Sequence, residues 1–362
     1  MIIYIAISLL IVLLLLAATV PVFQKFERLL VSFSFLIIWF IVSFSASVGP
    51  DYESYKFMYD SLNENFFLQE FLFRQLGFLF RTNDLPFSAF YFFLTSVYIY
   101  CIYRVFLRYR NLSVLNLLIF IIMPYGLIEG GFNYLRQNMA VALFYLSIVY
   151  LTRQQFFRYS AFNFLGFLFH KSALILIPLY FVIKTNLSIR RSFFIYFVVL
   201  GATLSLEVPF IKNSLLMVIG SIPGYGGTYA NFRDGEFLNA LSTKGIFSYV
   251  YQSIPIIVLM YYKKRVVITR NENVLFNITY LSLITLTIAL ELRIMLRVEY
   301  YFILAKVFTL PLLVRLCGNN RTRTVFLLAL VLYFSLYFIA VYMTGVEKNL
   351  LPYKSVLGFE VN

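Results

Sequence analysis

"FRYSAFNFLGFLFHKSALILIPLYFVIK" (residues 157–184) can be read in two ways, and the choice sets the topology of the whole chain. Read as one run, it is a single tilted membrane helix with a polar pair in its middle. Read as two, it is a pair of short helices joined at His170-Lys171, and everything downstream changes sides of the bilayer. Charge decides between them. If the run is split, Lys25, Arg28, Arg104, Arg108, Arg110, Arg153, Arg158, Lys184, Arg190, Arg191, Lys263, Lys264, Arg265, Arg270, Arg315, Arg321 and Arg323 all fall in short connectors on one side. If it is fused, Lys263-Lys264-Arg265 and the Arg315–Arg323 group move across, against the bias of short cytoplasmic loops toward Lys and Arg. The split reading predicts that His170 and both chain ends face outward.

Composition agrees with a membrane setting. The 362 residues are 61% hydrophobic, 20% aromatic and 13% charged, and the mean hydropathy is +0.84. A soluble domain is about half apolar and about a quarter charged. Forty-two Phe and 29 Tyr suit a chain whose many helix ends meet lipid headgroups. The net charge of +14 is scattered through connectors, with no basic domain for nucleic acid. Cys101 and Cys317 sit in or near apolar runs and offer neither a disulfide pattern nor zinc spacing.

Runs of about 17–25 apolar residues mark helical spans. They are expected near 2–22, 29–48, 85–107, 112–128, 134–152, 157–170, 172–185, 191–207, 245–262, 273–290, 299–317 and 324–343. The fold expected is therefore all-α, a polytopic integral membrane helix bundle of about twelve spans. It forms a single transmembrane domain over 1–362. The first run has no basic residues before it and reads as an uncleaved anchor. Two outer loops are long, near 49–84 and 208–244. The second contains "GSIPGYGGTYANFRDGEF" (220–237), the composition of a loop that closes over a ligand.

Polar residues collect at the outer helix mouths. Arg136 lies one turn inside its span, with Asn133 and Ala140 on the same stripe and Gln137 beside it. An arginine beside free N–H groups at a helix start suits a diphosphate or carboxylate; a snorkelling interface arginine is the plainer alternative. His170 is the one histidine of the chain, with a side chain suited to general acid–base work or simply to capping a turn. Asp51 and Glu53 open the first outer loop as a metal pair, a base, or a solvated edge. Arg293 and Arg297 share a helix face, and Lys306 lies two turns into the next span, where it needs a substrate or an internal partner. There is no phosphate-binding glycine loop, no dinucleotide fingerprint and no nucleophile elbow.

Six stretches taken together resemble the EpsG family, related to the Wzy-type O-antigen and capsule polymerases. They are "GPDYESYKFMY" (49–59), "FRQLGFLF" (73–80), "NYLRQNMAVAL" (133–143), "FLFHKSALILIPLYF" (167–181), "RVEYYF" (297–302) and "PYKS" (352–355). The resemblance implies a fold like the membrane glycosyltransferases of the GT-C type. It implies a polymerase of the bacterial inner membrane, active on the periplasmic side. Such an enzyme joins oligosaccharide repeats carried on undecaprenyl diphosphate, which serve as donor and acceptor, and needs no metal or other cofactor. Its partners would be the lipid bilayer and a chain-length regulator. On that basis Arg136, His170, Asp51 and Arg293 are the expected catalytic residues. Gln137, Asn133, Tyr134, Lys171, Arg297, Tyr55 and Tyr353 are the expected substrate contacts. A flippase for lipid-linked oligosaccharide, an acyltransferase and a non-catalytic assembly subunit are the competing functions.

Overall fold

The computed structural model describes residues 10, 13, 14, 25–61, 70–109, 113–123, 126–208, 210, 213, 214, 217, 243–343, 353–357, 360 and 361. Most of the run at 2–22 and the Gly/Tyr-rich stretch at 220–237 lie outside them. The chain divides into two compact units, residues 1–181 with 317–362, and residues 182–316.

The first unit begins with α1 (Glu27–Ser43), the short strand β1 (Ser45–Ala46), α2 (Tyr52–Asp60) and α3 (Phe71–Thr82). It continues through α4 (Phe87–Arg108), α5 (Ser113–Ile122), α6 (Leu127–Gly131), α7 (Leu135–Thr152) and α8 (Phe156–Phe169). A 3₁₀ turn (Lys171–Ile175) then leads into α9 (Leu176–Ile183), which crosses into the second unit. Helix α7 is apolar on nearly every side and is correspondingly enclosed, packed chiefly on α8 and then on α4. Gly166 of α8 makes the closest approach possible. A Cβ there would stand 3.4 Å from the Cα of Ala140, so two small residues let the backbones meet, as in membrane helix pairs. Asn163 Nδ2 then donates to Ser147 Oγ at 3.0 Å across the same interface.

The helical run through 157–184 is broken at His170. Its backbone is extended (φ −155°, ψ 116°), its N–H still closes α8 on Gly166 O, and the next turn starts at once. The run expected at 112–128 is shorter than a span: α5 stops at Ile122, because the residue preceding Pro124 is pushed out of the helical region.

The described residues are almost wholly helical, as expected for an all-α fold, with one small sheet beside the helices. β2 (Tyr353–Ser355) pairs antiparallel with β1, Ser45 opposite Ser355, and with β3 (Glu360–Val361) on its other side. Tyr353 is 2% exposed, and its hydroxyl donates to Ile41 O at 2.8 Å. This fastens the segment to the end of α1.

The second unit contains α10 (Ile189–Ser205), α11 (Thr243–Tyr261), α12 (Lys263–Val266), α13 (Arg270–Ala289), α14 (Met295–Glu299) and α15 (Ile303–Thr309), followed by a 3₁₀ turn over Leu310–Leu316. Thr269 and Glu272 form a capping box that starts α13. Arg315 holds the same glutamate with both guanidinium nitrogens, at 2.7 and 2.9 Å. The run expected at 299–317 is not one helix. It turns at 300–302, and at Pro311, which lacks an N–H, it tightens to 3₁₀. Lys306 is paired internally: its ammonium lies 2.6 Å from Glu299 and 3.1 Å from Gln252 Oε1, fully inside the unit. Ser282 donates to the same carboxylate oxygen.

Length and composition allow Phe87–Arg108 and Arg270–Ala289 to cross a bilayer, while Lys171–Ile183 and Gly245–Tyr261 are apolar but shorter. The last helix, α16 (Asn320–Met343), returns the chain to the first unit.

Candidate functional site

The first unit brings Arg136 and His170 onto one carboxylate, and that carboxylate is Glu70. Arg136 Nη1 stands 2.6 Å from Glu70 Oε2, and His170 Nδ1 stands 3.1 Å from Glu70 Oε1. The backbone N–H of Lys171 adds a third donor to Oε1 at 3.4 Å. Glu70 is 7% exposed, and it occupies the extended position just before α3 (φ −65°, ψ 141°).

Local sequence explains each placement. The extended backbone at His170 ends α8 and aims the ring away from the helix run. Arg136 is held by the turn before α7. There Asn138 donates through Nδ2 to Gly130 O at 2.9 Å and through its backbone N–H to Tyr134 O at 2.7 Å. Gly49 presses on the same turn: at φ +90°, a Cβ on it would meet Phe132 O, and only glycine tolerates both conditions. This ties the start of "GPDYESY" to the start of α7. Below the guanidinium lie the rings of Tyr55 and Phe73, 5.6 and 5.8 Å away. Arg136 is therefore paired and stacked within the first unit.

Burial alone would raise the Glu70 carboxyl. The hydrogen bond to His170 and the charge of Arg136 outweigh it and hold the group at about 2. Burial likewise pushes the Tyr55 phenol up, against the opposing charge of Arg136. An ionised carboxylate only accepts, so His170 Nδ1 carries the proton in this contact. In the neutral ring the lone pair is then on Nε2, the arrangement of an imidazole poised as a base. Arg136 Nε is buried and has no hydrogen-bond partner among the described residues; the same holds for Asn133 Oδ1. A buried donor left unmet is costly.

The ionised Glu70 carboxylate ties the stability of the fold to acid pH. The folded pKa of Glu70, about 2, lies below its ordinary 4.5. Its stabilising contribution is therefore complete above 4.5 and is lost as pH falls from there through about 2. Melting of the detergent-purified protein over that interval, with Glu70→Gln as reference, should show the wild-type advantage constant at neutral pH and vanishing toward the acid end.

The other expected residues divide. Gln137 is buried beside Arg136, and Asn133 and Tyr134 are half-buried in the same turn. Asp51 sits at the start of α2, close enough to act on Tyr55. Glu53 accepts from Ser47 Oγ at 2.6 Å, and among the described residues no three His, Cys, Asp or Glu side chains gather around a metal position. Lys171 lends its backbone N–H and leaves its side chain exposed. Tyr353 offers no open ring face: it is buried, with Phe132 edge-on at 6.4 Å. Arg293 and Arg297 are exposed side chains of the second unit.

Glu70 escapes a reading of the sequence because a lone glutamate in a long outer loop looks solvated. A signal existed nonetheless. A half-buried Arg and a half-buried His at helix mouths favour a nearby anion, and Glu70 directly precedes an amphipathic helix in the nearest loop.

The family model described as EpsG family matches residues 28–355. No curated protein and no solved structure gives a match.

Proposed function

The chain belongs to the EpsG family, which is associated with Wzy-type polysaccharide polymerases, and from that premise we propose a specific role for it. It is a membrane polymerase that joins oligosaccharide repeats carried on undecaprenyl diphosphate at the outer face of the cytoplasmic membrane. The observation that carries this reading is Glu70 bridging Arg136 and His170. One carboxylate orients both a base and a cation.

A hydroxyl of the acceptor repeat attacks the anomeric carbon of the donor glycan. The bond from that carbon to the diphosphate oxygen breaks, and undecaprenyl diphosphate departs with the electron pair. His170 Nε2 takes the hydroxyl proton, and Glu70 stabilises the imidazolium that forms. The guanidinium charge of Arg136 stabilises the departing diphosphate, whose charge grows in the transition state. Asp51 and Gln137 shape the acceptor side. The donor arrives already activated, which accords with a sequence lacking nucleotide motifs.

A strain lacking the gene tests the function. It should carry a single repeat on its lipid anchor. No repeat at all would mark a flippase, and unchanged long chains would remove both readings. The twelve-span arrangement places the turn at 170–171 outside. Lys171→Cys should therefore react with a membrane-impermeant thiol reagent in intact cells, and protection would return the run at 157–184 to a single crossing.

A further inference from the structure

Beside the Glu70 cluster, α2 and the turn from α3 to α4 enclose an open pocket of about 520 Å³. That is well inside the range of about 300–1,000 Å³ typical of small-molecule sites. Lys56 and Asp60 of α2 face it from one side, and Arg81 and Asp84 from the other. Among the described residues none of these four side chains forms an ion pair, and two cations and two anions stand around one opening. The floor is Tyr52, Tyr59 and Phe87, nearly buried and packed ring against ring.

The walls are set in advance. Tyr59 donates its hydroxyl to Leu85 O at 2.6 Å, and Arg81 reaches Tyr59 O at 3.4 Å, which ties the end of α2 to the turn before α4. Asp84 sits in the left-handed region at φ +54°, fixed by its N–H to Arg81 O at 3.0 Å. The pocket therefore exists without a ligand to shape it.

Charge balance selects the occupant. A phosphate or a carboxylate would meet two carboxylates, and a metal ion would meet Lys56 and Arg81. An acyl chain would leave all four charged groups unpaired. A neutral polyol fits each: every hydroxyl both donates to a carboxylate and accepts from a cation. We propose that this pocket is a glycan subsite, holding a sugar of the bound polymer that takes no part in the bond being made. The inference rests on the polymerase reading and adds a second position on the same substrate.

The spacing supports a non-reacting sugar. From Glu70 to Arg81 is eleven residues of α3, ~16 Å at the rise of an α-helix. Tyr55 lies under Arg136 while its neighbour Lys56 faces the pocket, so α2 contacts both places. A glycan held here stays on the protein between additions, and binding energy remote from the reaction is spent on retention.

The test is the double variant Lys56→Ala with Asp60→Ala, both outside the Glu70 cluster. Two measurements are made: the ladder of chain lengths in cells, and calorimetric binding of fragments of the cell's own polymer, two or more repeats long, to the purified protein. The double variant should still couple repeats but shift the ladder toward short chains. It should bind the fragments more weakly by at least about tenfold, the smallest loss expected when charged hydrogen bonds are removed. An unchanged ladder and unchanged binding overturn the subsite. Arrest at a single repeat overturns its non-reacting role and moves the pocket into the reaction centre. Long chains persisting in the deletion strain reject the polymerase itself, and fragment binding then still decides whether the pocket holds glycan.

Discussion

Glu70→Gln should stop polymer formation while the protein still accumulates in the membrane. The substitution keeps the size of the side chain and removes its charge. The amide keeps one acceptor oxygen and turns the other into a donor; with the oxygen on Arg136, its NH2 faces His170 Nδ1 and selects the tautomer with Nε2 protonated, which cannot act as a base. Arg136 is left as a buried cation without its counter-charge. General base catalysis is worth roughly 10²–10⁴-fold, so the coupling rate should fall by about that range, read from polymer released per unit of purified enzyme. Breaking a buried pair costs about 3–5 kcal/mol, so the melting temperature is recorded alongside. Glu70→Asp separates the two roles. Its shorter side chain restores the charge but cannot span both partners at 2.6 and 3.1 Å, so stability should recover further than rate. Full polymer in Glu70→Gln would reduce the carboxylate to a tie between helices.

Arg136→Ala should produce the second large loss, with a different signature. Removing one donor to a developing oxyanion costs roughly 10²–10³-fold in rate, and here the donor is also a full charge opposite a diphosphate. The loss should appear mainly in turnover, since the charge on the leaving group grows as the bond breaks. Arg136→Lys is the informative companion. Lysine carries the charge as a point on a flexible stem, without the planar guanidinium that holds Glu70 through Nη1 and stacks over Tyr55 and Phe73. It should keep the protein folded and recover part of the rate. An interface anchor would behave otherwise: lysine would substitute fully, and alanine would leave chain length normal.

Hydropathy made much of the helical layout legible. Runs near 85–107, 134–152 and 273–290 correspond closely to α4, α7 and α13, since burial in lipid or in protein demands the same apolar surface. The break at His170 was legible too, because a polar pair between two apolar runs has few other uses. What hydropathy does not contain is pairing. Lys306 announced that it needed a partner, but Glu299 and Gln252 are brought to it by a chain that turns at 300–302. Arg136 and His170 stood out one by one for their chemistry. Glu70 did not, because its importance lies in having two partners at once. The small sheet was invisible for a related reason: two- and three-residue strands have no period to detect, and β1 exists only because β2 lies beside it.

That sheet has a consequence for how the protein is made. Tyr353 meets Ile41 across 312 positions of sequence, and β1 directly precedes Gly49, the residue wedged against the start of α7. The earliest helices emerge from the ribosome long before their closing strand is translated. Contacts so distant in sequence form late and slowly. The clasp on α1 is thus completed only after α16 has been made. A chain halted before residue 353 would carry Glu70, Arg136 and His170 without the strand that fastens the end of α1.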